Sequence, residues 1–142
     1  MTPKPHHVGA TGAEHAATFQ QRGVAESYRF RPEYPAKMIG LLVKLAGSEE
    51  PRSVLDVGCG IGDLARSLAS LVERVDAIDI SAAMIAEGKI LPGGDNTSLN
   101  WMHSAVESGE AAPPYSLITG GRGAKASTGW TGRQYFRCLR VC

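Results

Sequence analysis

The feature that most constrains the possible folds of this chain is a group of glycines directly after a short apolar segment. Residues Ser53–Val57 read SVLDV, and glycines follow at positions 58, 60 and 62. The apolar run predicts a buried parallel strand, and glycine permits a tight turn in which the backbone approaches a ligand closely. A helix that starts after such a loop directs free N–H groups at the ligand. The pattern therefore predicts a ligand-binding loop, with a plain flexible turn as the alternative.

Helices and strands alternate on both sides of this loop. We predict helices over residues 37–45, 64–72 and 82–89, the last one N-capped by Ser81. Further strands are expected over residues 75–79, 99–103 and 115–119, with a turn over 92–95. The apolar side chains expected on the inward helix faces are Met38, Leu41, Leu42 and Leu45, and then Leu64, Leu68 and Leu71. This alternation predicts an α/β fold, namely the N-terminal part of a Rossmann-like doubly wound parallel sheet with about four strands.

Composition limits the partners and the compartment. The chain has 142 residues, 43% of them hydrophobic, and a net charge of +1, which suits a single globular domain. Near-zero charge gives no reason to expect a nucleic acid or an anionic membrane as partner. The first residues lack the apolar core of a signal peptide. Three cysteines, an odd count, fit a reducing cytoplasmic location better than a disulfide scaffold.

The chain divides into three zones. Residues 1–27 are a polar lead-in without apolar periodicity, which we expect to be loose, and residues 28–119 carry the organised pattern. Residues 120–142 form an irregular basic tail without acidic residues; its cations are Arg122, Lys125, Arg133, Arg137 and Arg140.

The spacing of the glycines narrows the class of ligand. The dinucleotide fingerprint G-x-G-x-x-G, counted from Gly58, requires glycine at position 63, where this chain has Asp63. This mismatch weakens a nicotinamide-dependent oxidoreductase, which stays as an alternative. A phosphate-binding P-loop is excluded more firmly, because no Gly-Lys-Ser/Thr follows the loop.

The run VLDVGCGIG over residues 54–62 resembles the signature loop of class I S-adenosylmethionine-dependent methyltransferases, of the small-molecule, type 11-like kind. The resemblance implies that an acid at the end of the second strand, here Asp79, binds the ribose hydroxyls of S-adenosyl-L-methionine. It implies that Asp56 holds the amino group of the cofactor. It also implies that the segment Tyr28–Pro35 folds over the pocket and helps to admit a small-molecule methyl acceptor. The cofactor-binding residues implied in this way are Asp56, Gly58, Cys59, Gly60, Gly62, Asp79, Ile80, Ser81, Ala105 and Val106.

Other reactive side chains carry weaker signals. Cys59 lies in the loop without an identifiable base beside it, so we expect a small packed residue there and no nucleophile. Cys138 and Cys142 are too few ligands for zinc, so no metal site is predicted. Asp63 and Arg66 are expected on a solvated helix face. No catalytic residue is identified, because alignment of the reactants does most of the work in methyl transfer.

The pattern of the resembled family stops near Thr119. Codons shifted by one frame after that point are able to spell Ser-Ile-Asn-Trp-Met-Asp-Trp, which is close to the continuation typical of the family. We therefore expect the reading frame to slip near residues 120–122, and the methyltransferase to be truncated or incomplete as written. The alternative is a non-catalytic cofactor-binding fragment. A sheet that stopped at its fourth strand would expose an edge prone to self-association.

Overall fold

Four parallel strands form one sheet in this computed structural model, which describes residues 22–105, 108, 111 and 114–120. The strands are β1 (Ser53–Val57), β2 (Arg74–Asp79), β3 (Leu99–His103) and β4 (Leu117–Gly120). Their order across the sheet is β3-β2-β1-β4, and all three pairings are parallel. The predicted doubly wound α/β architecture with four strands is thus confirmed.

The register brings the carboxyl ends of the strands together. Val57 at the end of β1 is paired with Ile78 of β2 on one side and with Gly120 of β4 on the other. Asp79, the last residue of β2, is paired with His103, the last residue of β3. Ligands of open parallel sheets bind outside these carboxyl ends. The loops that follow β1, β2 and β3 therefore lie along one edge and can build a common site.

The described helices are α1 (Arg22–Tyr28), α2 (Ala36–Ala46), α3 (Asp63–Leu68) and α4 (Ala82–Ile90). Helices α2 and α3 pack on the face of the sheet formed by Val54, Val75 and Leu99. Helix α4 packs on the same face, because Gly88 lies against the ring of Trp101. The opposite face holds a second cluster in which Leu55, Val57 and Ile78 contact Ala111 and Tyr115 of the connection between β3 and β4. None of the helices in this part of the chain is long and apolar enough to cross a membrane.

Two helices turn a different face to the core than the sequence predicts. In α2 the buried residues are Ile39 and Ala46, whereas Leu41 and Leu45 are 56% and 53% exposed. The helix is apolar on more than one side, so packing on the sheet decides which stripe is inward. The second predicted helix ends early, at Leu68, and a tight turn then buries Val72 and leaves Leu71 exposed.

Helix α1 is absent from the sequence prediction. Residues 22–27, assigned there to a loose lead-in, form most of this helix. Ala25 of this helix is buried in the core, where it packs against Ile61 of the glycine loop and Met84 of α4. A seven-residue helix is not stable by itself, so these tertiary contacts stabilise it. The predictions for residues 1–21 and 121–142 lie outside the described residues, and Gly120, assigned to the tail, closes β4.

Candidate functional site

The loop between β1 and α3 needs glycine for its backbone conformation. Gly58, Gly60 and Gly62 have φ angles of 65°, 59° and 74°, all in the left-handed region. In that region a side chain costs about 1–2 kcal/mol per residue. The N–H of Gly62 donates to the carbonyl of Cys59 at 2.9 Å, and the N–H of Cys59 donates to Ile78 of β2 at 3.1 Å. The loop is therefore a tight turn fixed to the neighbouring strand, and not a flexible connection.

Two of these glycines have different surroundings. A Cβ atom added to Gly62 would lie 2.4 Å from the indole ring of Trp101, so Gly62 is also needed for packing. A Cβ atom added to Gly60 would meet no atom within 4 Å. The space beside Gly60 is therefore open, and a ligand can approach the backbone there.

The Asp79 carboxylate connects the two loops that border this space. Its Oδ2 accepts a hydrogen bond from the N–H of Gly60 at 2.8 Å, and its Oδ1 accepts one from the N–H of Ser81 at 2.8 Å. The hydroxyl of the buried Ser81 in turn accepts a hydrogen bond from the N–H of Met84 and caps α4, as predicted from the sequence. Asp79 remains half-buried at the carboxyl end of β2, so its carboxylate lies beside the open space next to Gly60.

Asp56 lies deeper, below the glycine loop. Its side chain is 1% exposed and accepts a hydrogen bond from the hydroxyl of Thr119 at 2.9 Å. Burial raises the pKa of Asp56 from 3.8 to about 7, against the opposing effect of the Thr119 hydrogen bond. The negative charge of Asp79 raises this pKa further, which places the two carboxyl groups within electrostatic reach of each other. Thr119 was not predicted as a site residue; its position at the end of a strand paired with β1 is the signal that could have identified it.

The thiol of Cys59 is not activated. Burial, together with the nearby Asp56 and Asp79 carboxyl groups, raises the pKa of Cys59 well above 9.0. Its Sγ donates to the carbonyl of Gly60 at 3.6 Å. A neutral thiol is a poor nucleophile, so Cys59 fits the small packed residue expected from the sequence.

Ile80 and Ala105, two of the remaining predicted site residues, follow strands β2 and β3 along the same edge of the sheet. The side chain of Ile80 is 40% exposed, and its carbonyl lies 3.1 Å from Nε2 of His103. Ala105 is exposed, and its carbonyl accepts a hydrogen bond from the hydroxyl of Ser108 at 2.7 Å. Val106 lies outside the described residues. Ile80 and Ala105 therefore follow the carboxyl ends of β2 and β3, and their contact with the adenine, which the resemblance implies, stays a prediction.

Arg66 is not on a solvated helix face, in contrast to the sequence prediction. Its side chain is only 15% exposed and forms an ion pair with Asp63 at 2.7 Å. It also donates to two carbonyl groups, that of Ile61 at 3.1 Å and that of Pro92 at 2.9 Å. Burial raises the pKa of Asp63, and Arg66 opposes that effect. Three contacts of one guanidinium group thus join the glycine loop to the turn after α4.

The N-terminal segment packs beside the loop. Arg29, directly after α1, forms an ion pair with the buried Glu87 of α4. Farther along, the guanidinium of Arg31 lies over the ring of Tyr28 at 3.7 Å. The charges of Glu33 and Arg31 both affect the pKa of Asp63, so this segment passes close to the start of α3. The position of residues 28–35 over a bound cofactor, which the resemblance implies, stays a prediction.

Comparison with known proteins identifies a family over the same residues. Residues 54–120 match a family described as a methyltransferase domain. The ubiquinone biosynthesis O-methyltransferase of Cronobacter sakazakii is 31% identical over 83 residues, which cover 57% of this chain and 34% of that protein. The chain therefore spans about a third of the length of this curated relative.

Solved structures agree on the fold. A candidate type II methyltransferase from Anaeromyxobacter dehalogenans superimposes with a TM-score of 0.54 at 26% identity, covering 66% of this chain and 37% of the other. The magnesium protoporphyrin IX methyltransferase of Synechocystis PCC 6803, solved with bound S-adenosylmethionine, gives a TM-score of 0.53 at 16% identity. The superposition covers 82% of this chain and 64% of the other. The second likeness shows the fold alone. Residues 54–120 thus match a methyltransferase domain, and the strand order and the glycine loop of this part of the chain agree with that match.

Proposed function

We propose that this chain binds S-adenosyl-L-methionine at the carboxyl ends of β1 and β2, as the cofactor-binding part of a methyltransferase that acts on a small molecule. The observation that carries the proposal is the Asp79 carboxylate, held at 2.8 Å by the N–H of Gly60 beside an open space. A carboxylate that accepts two hydrogen bonds is the partner that a pair of ribose hydroxyls requires. Gly60 leaves free the volume that a side chain would fill. Both features fit this cofactor.

Each part of the site has a separate task in this proposal. Asp79 holds the ribose, Ile80 and Ala105 border the adenine, and the backbone from Gly58 to Gly62 receives the amino-acid part. Asp56 acts on the amino group of the cofactor. With a pKa raised to about 7, it exchanges its proton near neutral pH, and a cationic ligand nearby favours its charged form.

When bound, the cofactor would supply a methyl group on a positively charged sulfur. A nucleophilic atom of the acceptor would attack the methyl carbon in line with the C–S bond, and the electrons of that bond would return to sulfur as it breaks. The task of the protein is to align the two reactants and to exclude water. The tight glycine loop is suited to the first task, and we propose that the segment Tyr28–Pro35 serves the second by folding over the bound cofactor. We name no catalytic residue of this chain, since a well-aligned displacement needs no dedicated base.

The acceptor is proposed as a small molecule. The Cronobacter relative is named for ubiquinone biosynthesis, and the Synechocystis neighbour for magnesium protoporphyrin IX. A net charge of +1 offers no general attraction to nucleic acid. The cytoplasmic location, inferred from the odd number of cysteines, and self-association through the outer edge of β4 both stay predictions.

Binding of S-adenosylhomocysteine tests the proposal, since this product lacks only the transferred methyl group. Isothermal titration of the 142-residue chain should give saturable binding of this product and none of NADH. Asp79→Ala should weaken the affinity about 10- to 150-fold, because a hydrogen bond to a charged group contributes about 1.5–3 kcal/mol. Asp95→Ala, in the exposed turn after α4, is the matched control and should bind like the wild type. Equal affinities for the wild type and Asp79→Ala would remove the assignment of the ribose site.

A further inference from the structure

Arg66 has a set of contacts that neither the family match nor the cofactor assignment explains. Its guanidinium is enclosed among Asp63, the carbonyl of Ile61 and the carbonyl of Pro92, at distances of 2.7, 3.1 and 2.9 Å. An ion pair on a helix surface needs only the first of these contacts. The other two hydrogen bonds connect α3 to different elements: one is to Ile61 in the glycine loop and the other to Pro92 in the turn after α4.

The contact with Ile61 fixes one particular peptide unit of the glycine loop. The carbonyl of Ile61 and the N–H of Gly62 belong to the same planar peptide. Arg66 Nε binds the carbonyl end at 3.1 Å, and the carbonyl of Cys59 accepts from the N–H end at 2.9 Å. A planar group bound at both ends has a set orientation. The peptide between Ile61 and Gly62 therefore cannot rotate without breaking a hydrogen bond to Arg66 or to Cys59.

The side chain of Ile61 is anchored as well. It is buried and packs against Ala25 of α1 and Met84 of α4. The preceding residue, Gly60, is bound through its N–H to Asp79. Both residues before Gly62 are thus held from different elements, and the carbonyl held by Arg66 completes the set. This matters for a loop with three left-handed glycines, which have more accessible conformations than other residues.

The contact with Pro92 connects the side chain of Arg66 to a second element, the turn after α4. Helix α4 starts directly after Asp79 and Ile80 and ends in the turn that contains Pro92 and Gly93. The backbone of this turn lies close to Arg66, because a Cβ atom on Gly93 would come within 3.6 Å of the carbonyl oxygen of Arg66. One side chain therefore connects the loop after β1 with the unit that carries the proposed ribose carboxylate.

We propose that Arg66 is a positioning residue for the cofactor, which holds the glycine loop in its binding conformation through the carbonyl of Ile61. The inference rests on the proposed function, since it assigns a task to this residue in binding S-adenosylmethionine. Arg66 does not contact the ligand in this role. It lowers the number of loop conformations that binding must select, and its loss weakens binding although every ligand-contacting residue remains.

The test measures the affinity for S-adenosylhomocysteine by isothermal titration, well below the unfolding temperature of each variant. Arg66→Ala should bind about tenfold more weakly than the wild type, and Arg66→Lys should fall in between, because lysine keeps the charge but not the fork of donors. Asp63→Asn removes the ion pair and leaves both carbonyl contacts, so it should stay within about threefold of the wild type. Arg52→Ala is the matched control. It removes a bidentate pair with Glu73 at the opposite end of β1 and should keep full affinity.

Rescue by free guanidinium separates positioning from general stability. Millimolar guanidinium chloride should restore part of the affinity of Arg66→Ala and leave that of Asp79→Ala unchanged. An affinity of Arg66→Ala equal to that of a binding-competent wild type would overturn this inference alone. Equal losses in Arg66→Ala and Asp63→Asn would overturn it as well, in favour of the ion pair. Absence of binding by the wild type would overturn the proposed function together with it. If Arg66→Ala does not fold, the affinity of Arg66→Lys is compared with that of the wild type instead, and an equal affinity would overturn the inference.

Discussion

Replacement of Asp56 by asparagine should make the stability of the fold less dependent on pH. In the wild type, burial raises the pKa of Asp56 from 3.8 to about 7. Between these two values the folded chain binds more protons than the unfolded chain. The free energy of unfolding therefore contains a contribution that is fully present below pH 3.8 and is lost as the pH rises through about 7. Asparagine has nearly the same shape and does not titrate, so this contribution to the pH dependence disappears.

The size of the effect follows from the two pKa values. Each pKa unit corresponds to about 1.4 kcal/mol, so the whole displacement is equivalent to about 4 kcal/mol. The part that falls between pH 5 and pH 8 is about 2–3 kcal/mol. The wild type should therefore lose about 2–3 kcal/mol relative to Asp56→Asn over this range, whatever constant offset the substitution itself introduces.

Urea unfolding followed by far-ultraviolet circular dichroism, at pH 5 and at pH 8, measures this difference. Thr119→Val is a second, independent variant. It removes the hydrogen bond that opposes the rise in the pKa of Asp56, so the loss of stability should move to higher pH. If the wild type and Asp56→Asn keep the same difference in unfolding free energy at both pH values, Asp56 is not held at a raised pKa in the core, and the reasoning fails.

Two further predictions concern the glycines and the end of the chain. An added Cβ meets nothing within 4 Å at either Gly40 or Gly60, but only Gly60 has a left-handed φ. In urea unfolding, Gly40→Ala should therefore stabilise by about 0.5–1 kcal/mol and Gly60→Ala should destabilise by about 1–2 kcal/mol. Gly60→Val should abolish binding of S-adenosylhomocysteine while Gly40→Val retains it. Equal binding by both variants would indicate that the loop is only a turn and does not bind the cofactor. The chain as written should have little methyltransferase activity and low solubility compared with a chain whose frame is corrected near codon 121, since β4 is the outermost strand of the described sheet. Size-exclusion chromatography and thermal unfolding of both proteins check this, and a monomeric, cooperative chain with equal affinity and activity as written would contradict it.

Local sequence determined the elements whose cause is local. The strand over Ser53–Val57, the strand over Leu99–His103 and the cap at Ser81 were predicted at the positions that the structure gives them. A short apolar run, a turn signal and a capping hydroxyl act over a few residues, so they can be read without knowledge of the fold. The same holds for the glycine loop, because the freedom to adopt the left-handed conformation seen at Gly58, Gly60 and Gly62 is a property of glycine itself.

Tertiary structure decided the features that depend on contacts between distant residues. Helix α1 exists because Ala25 packs against Ile61 and Met84, and no local signal predicts it. The prediction that Leu41 and Leu45 lie on the inward face of α2 was wrong. A helix with apolar residues on several sides is oriented by its packing on the sheet.

The electrostatics of the site have the same origin. The raised pKa of Asp56 results from burial in the fold, which outweighs the opposing hydrogen bond from Thr119, 63 residues away along the chain. Arg66, which the sequence places on a solvated face, is enclosed because the turn at Pro92 folds back onto α3. Desolvation and hydrogen bonding depend on what surrounds a group in space. The sequence alone therefore identified the loop and the acid that we propose as the site, whereas the fold determined how their charges and backbone are held.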